Sequence, residues 1–91
     1  MITAMHKSAR TVVKAFNADA DAAVTVFVAS TVNGAKYWMQ QAIHGRVTFR
    51  RATTKAANAA AWLQDIEDVC NEGDAVITEI DDAIIQAIRA L

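Results

Sequence analysis

The densest charged cluster in the chain is Arg46, Arg50, Arg51 and Lys55, interleaved with Thr48, Thr53 and Thr54. Cations and hydroxyls in such a run are suited to phosphate oxygens, the cations releasing counterions and the hydroxyls adding short contacts. On a helix, Arg46 and Arg50, then Arg51 and Lys55, are four apart and share a flank. Tyr37 and Trp62 fall off or at the edge of the apolar stripes, where aromatic rings serve as contact anchors. If the chain has a contact patch, these two rings are its expected anchors, with the 46–55 flank as its charged border.

The basic segment comes after a short apolar-periodic stretch and Gly45, a layout that resembles a helix-turn-helix in shape alone. A dedicated nucleic-acid face usually comes with a basic overall charge, whereas the formal net charge here is −1. The reading preferred for these cations is therefore an acidic protein or the chain's own acidic half, with nucleic acid second.

The other charged constellation is acidic: Asp65, Glu67, Asp68 and Glu72 before Gly73, and Glu79, Asp81 and Asp82 after it. Were Gly73 the bend of an antiparallel helical hairpin, Asp65 and Asp68 would face Glu79 and Asp82. Carboxylates paired across two helices can hold Mg²⁺ for phosphoryl or pyrophosphate chemistry. The arrangement is similar to the ExxE…ExxD pattern of the all-helical nucleotide pyrophosphohydrolases of the MazG type, which implies Mg²⁺-dependent nucleotide hydrolysis. It departs from that pattern in having Asp in the first pair, a short gap and no neighbouring cation for a triphosphate. A solvated acidic face is the commoner origin of such a run. No enzyme activity and no cofactor are expected.

His6 and His44 have no metal-ligating neighbour at helical spacing. Cys70 sits between Ile66 and Gly73 on an apolar stripe, where a thiol behaves as a small hydrophobe. Glycine-rich phosphate loops, CxxC pairs and serine elbows are all absent from the sequence. A single cysteine forms no internal disulfide, which fits a reducing compartment. The run Ala22–Ala29 is too short to span a bilayer and has Asp19 and Asp21 beside it, so a cytoplasmic location is expected, the host cytoplasm if the chain is phage-encoded.

Ninety-one residues make one domain. Much of the 54% apolar content is alanine, and a core this thin favours association with a second copy, so a homodimer is expected. Charge is polarised along the chain: residues 1–55 carry eight Lys/Arg and two Asp/Glu, a balance of +6, whereas residues 56–91 carry one Arg and eight acids, a balance of −7. Opposite halves of this kind suit self-association or packing within one fold.

The elements that would position these residues read as helices. Val12, Val13, Phe16, Ala20, Ala23, Val24 and Phe27 keep to steps of three and four, as do Ala35, Trp38, Met39, Ala42 and Ile43. From Phe49 the stripe continues through Ala52, Ala56, Ala59, Leu63, Ile66 and Cys70, then Gly73, Ile77, Ile80, Ile84, Ala87 and Leu91, a seam of coiled-coil type. Asn33-Gly34 and Gly45 read as helix stops, and Gly73-Asp74 as a stop and then a fresh N-cap. The sequence thus predicts an all-α bundle of three to five helices ending in an antiparallel hairpin.

A competing α+β reading places a three-stranded meander over about 23–52, flanked by helices. Its signals are the β-branched Val24-Thr-Val-Phe-Val28, the Asn-Gly pair, and Val47 and Phe49 alternating with Thr48 and Arg50. The leading functional expectation is a non-catalytic accessory or regulatory protein that binds another protein, of the kind frequent in phages and mobile elements. A nucleic-acid binder ranks second and a self-assembling structural subunit third.

Overall fold

The computed structural model describes residues 9–29 and 36–91. Five strands and two helices occur in the order β1 (Arg10–Asn17), β2 (Ala22–Val28), β3 (Tyr37–Ile43), β4 (Arg46–Thr53), α1 (Ala56–Asn71), β5 (Val76–Ile80) and α2 (Asp82–Arg89). The strands form one sheet in the order β4-β3-β2-β1-β5, every neighbouring pair antiparallel. This architecture is α+β and overturns the all-α bundle. The α+β alternative also needs correction: β2 to β4 run as a meander over 22–53, but strand β1 stands where a preceding helix was expected. The predicted stops at Asn33-Gly34, like His6, lie outside the described residues.

Strand formation here stems from residue type and from two irregularities. β1 carries Thr11, Val12 and Val13, and β5 is four-fifths β-branched, side chains that pack well on a pleated surface. In β1 a bulge between Thr11 and Val13 turns two successive valines inward, Val12 at 0% and Val13 at 3% exposure. That extra residue breaks the two-residue alternation and imitates a helical step. In β3, apolar side chains occupy both faces: Met39 and Ile43 lie toward the helices, Trp38 and Ala42 on the other side. The resulting pattern of 38, 39, 42 and 43 matches a helix stripe by coincidence.

Two of the chain's reversals turn on glycines. His44 and Gly45 both have positive φ, 53° and 76°, as a two-residue type I′ hairpin requires. Gly45 therefore turns β3 into β4 rather than ending a helix. Gly73, at φ 84°, does stop α1. Its N–H donates to the Cys70 carbonyl and that of Asp74 to the Val69 carbonyl, the paired bonds of a Schellman motif. The next element is β5, not a second helix. The N-cap of α2 is Asp81, whose Oδ1 accepts the Ile84 N–H at 3.2 Å, instead of Asp74. With β5 between them, α1 and α2 do not form the tight hairpin expected.

Both helices cover one face of the sheet. α1 presents Ala59, Leu63 and Ile66, all buried, to Val12, Val13, Ala15 and Val26. Sixteen residues at 1.5 Å each give α1 a length of about 24 Å, enough to carry the chain across the roughly 19 Å between β4 and β5. The short α2 packs on α1 and β1 through Ile84, Ile85 and Ile88, with Arg89 Nη2 2.9 Å from Glu67 Oε2. Exposed at about half on each side, that ion pair adds little to stability.

Leu63→Ala, which opens a cavity where α1 meets the valine face, is expected to cost about 3 kcal/mol of unfolding free energy. Gly45→Ala, where an added methyl meets nothing but φ is unfavourable, should cost only about 1 kcal/mol. Urea denaturation of both variants checks the order; equal losses would contradict this packing.

Candidate interaction surface

The sheet's register sorts the surface residues into rows that run across all five strands. Toward the helices, one row is Ile77–Ala15–Val24–Gln41–Phe49 and the next Ile80–Val13–Val26–Met39–Arg51. On the opposite face the rows are Val76–Phe16–Ala23–Ala42–Val47 and Glu79–Lys14–Thr25–Gln40–Arg50. Each row starts on β5 and ends on β4, so the two edges display its two ends.

At the β5 edge all five residues are exposed, including Val76 at 63%, Ile77 at 39% and Ile80 at 54%. Three β-branched apolar side chains on a strand whose outer edge is unpaired among the described residues are an unusual exposure, since edges are commonly guarded by charge, proline or a covering element. In sequence they are flanked by Glu72, Asp74, Glu79, Asp81 and Asp82, with no cation between residues 71 and 88, and across the strand pair Lys14 stands opposite Glu79. The β4 edge is the reverse: Arg46, Arg50, Arg51 and Lys55 and no acid. Part of the charge split seen along the sequence thus becomes a split between opposite edges of one sheet, while Arg10 and Lys14 lie on β1 and Asp65, Glu67 and Asp68 on α1.

The expected basic flank does not form as a helical face. Arg50 and Arg51 are consecutive in a strand and point to opposite faces. Arg50 Nε donates to Gln40 Oε1 at 2.7 Å, and the Arg51 guanidinium lies 5.2 Å from the centre of the Phe49 ring on the helix side. Arg46 and Lys55 are exposed. The helix-turn-helix shape is absent, its supposed recognition segment being β4.

Of the two proposed aromatic anchors, Tyr37 is 3% exposed and belongs to the core cluster, so its ring does not offer a surface contact. Trp62 is half-buried. With Met39, Phe49, Ile66 and Val69 it lines a groove of about 490 Å³ between α1 and the sheet. The β5 apolar edge escapes a reading of the sequence because Ile77 and Ile80 also fit a helical seam. The β-branched run Val76-Ile77-Thr78 is the signal that could have found it.

Asp65, Asp68, Glu79 and Asp82 are distributed over a helix, a strand and a helix start, and among the described residues no three His, Cys, Asp or Glu side chains gather as metal ligands would. Cys70 is half-buried against the core. His44 Nδ1 lies 3.1 Å from Asp21 Oδ2, and the His44 N–H donates to the Asp21 carbonyl, tying the two turns at one end of the sheet. No helix among the described residues is long and apolar enough to cross a membrane. No protein-family model, curated protein or solved structure matches the chain.

Trp38 is 5% exposed and its indole Nε1 is buried without a hydrogen-bond partner among the described residues. A buried donor left unpaired costs about 1–3 kcal/mol. Trp38→Phe removes that donor while keeping most of the ring, so its urea midpoint should stay close to that of the parent protein. A loss above about 2 kcal/mol would show that the indole N–H is satisfied.

Proposed function

We propose that the chain is a non-catalytic protein-binding module, a small accessory or regulatory protein that docks on its partner through the β5 edge. The observation that carries this reading is that every residue of Val76–Ile80 is exposed, on an apolar strand whose outer side pairs with no strand among the described residues. An extended segment laid against such an edge gains main-chain hydrogen bonds, and its alternate side chains meet Ile77 and Ile80 on one face and Val76 and Glu79 on the other. The acids around β5 favour a partner segment with basic residues. Binding at β4 to a phosphate backbone has less support, because Arg50 and Arg51 face opposite ways and do not track one strand of phosphates.

Ile77→Lys/Ile80→Lys should leave the circular dichroism spectrum unchanged and abolish capture of whatever protein the parent chain retains from its native cell. Arg46→Glu should leave the same capture intact. Equal capture by parent and double-lysine variant would contradict β5 as the docking edge.

A further inference from the structure

We infer that a second copy of this chain is a partner of the β5 edge, pairing β5 of one copy with β4 of the next so that the sheet continues from molecule to molecule. This rests on the reading of β5 as a docking edge and names what docks there.

The two edges of one sheet are complementary row by row. Read in chain order, the β4 residues that end the rows are Val47, Phe49, Arg50 and Arg51; those on β5 are Val76, Ile77, Glu79 and Ile80. Each strand carries one extra residue between them, Thr48 in β4 and Thr78 in β5, which the register skips. Successive antiparallel pairings make β4 and β5 run in the same direction within the sheet. A copy displaced along the sheet therefore brings Val76 beside Val47, Ile77 beside Phe49, Glu79 beside Arg50 and Ile80 beside the stem of Arg51. Apolar residues meet apolar residues and an acid meets a base on the same faces, with both helices of each copy remaining on one side.

Charge decides between this pairing and the symmetric one. A two-fold β5–β5 pair would bring two acidic edges together, and a β4–β4 pair two basic ones; like charges across a strand pair are destabilising. Head-to-tail pairing opposes unlike charges, and as a heterologous contact it propagates rather than closing at two copies. An edge of five residues offers far less area than the roughly 1,600 Å² of a standard interface, so the association is weak, concentration-dependent and loosened by salt.

The test combines light scattering with a disulfide trap. The parent protein should gain mass with concentration in low salt, and the gain should vanish in Arg46→Glu/Arg51→Glu and in Ile77→Lys/Ile80→Lys alike, with circular dichroism confirming that both variants fold. In a Cys70→Ser background, Val47→Cys/Val76→Cys places thiols about 19 Å apart within one copy, beyond disulfide reach, but side by side across the proposed contact. Mild oxidation should then give a ladder of covalent oligomers. Three results would overturn the inference: a monomer at all concentrations, a closed dimer indifferent to the β4 changes, or covalent species that stop at two copies. If the chain stays monomeric while Ile77→Lys/Ile80→Lys still loses a captured protein, the pairing of copies fails and the docking role of β5 stands.

Discussion

The contact between the small apolar stripe of α1 and the valine-lined face of the sheet is the interaction on which the rest of the molecule depends. Ala59 at 0% exposure allows the helix to settle close to the strands, and Leu63 and Ile66 fill the space over Val12, Val13 and Val26. A sheet of this size needs one face covered to persist in water. By crossing from β4 to β5, α1 covers that face and also delivers β5 to the far side of β1. The helix that builds the core is therefore the element that separates the two sheet edges by the full width of the fold.

That separation gives the surface its character. Because Arg46, Arg50, Arg51 and Lys55 lie at one edge and Glu72, Asp74, Glu79, Asp81 and Asp82 at or beside the other, these two groups do not meet inside the molecule; the one cross-strand charge pair at the β5 end, among the described residues, is Lys14 opposite Glu79. β4 carries the charges that commonly keep an edge from pairing with its own kind. β5 carries fewer safeguards and three exposed apolar side chains. A monomer that exposes this combination leaves both hydrogen-bonding capacity and apolar area in water, and both are recovered when another strand is laid alongside.

How much of this is legible in the residues varies by element. α1 is legible, since Ala56, Ala59, Leu63, Ile66 and Cys70 hold their spacing along the sixteen-residue helix and Gly73 ends it with a Schellman turn. α2 is partly legible: Ile84 and the late Arg89 lie in it, but its cap is Asp81. The strands are hidden by physical coincidence. The Val12 bulge gives β1 a false helical step, the two-faced burial of β3 gives another, and abundant alanine raises helix propensity throughout. In β5, Ile77 and Ile80 are three apart because Thr78 is skipped in the register, so a strand with a bulge copies the spacing of a helix face. The charge polarity is plain in the sequence, but its meaning is not: only the strand order places β4 and β5 at opposite edges. The basic cluster survives as residues and not as a face, and Tyr37 lies in the core where a surface anchor was expected.

Amide hydrogen exchange measured residue by residue tests the central claim, a sheet centred on β2 and β1 with β4 and β5 as unequal outer edges. Val13, Val24 and Val26 should be among the slowest amides, and β4 and β5 should alternate between protected and fast-exchanging positions as one side of each strand faces solvent. Uniform protection through 10–28 with helical i→i−4 contacts, or continuous slow exchange along both outer strands in the dilute monomer, would contradict it.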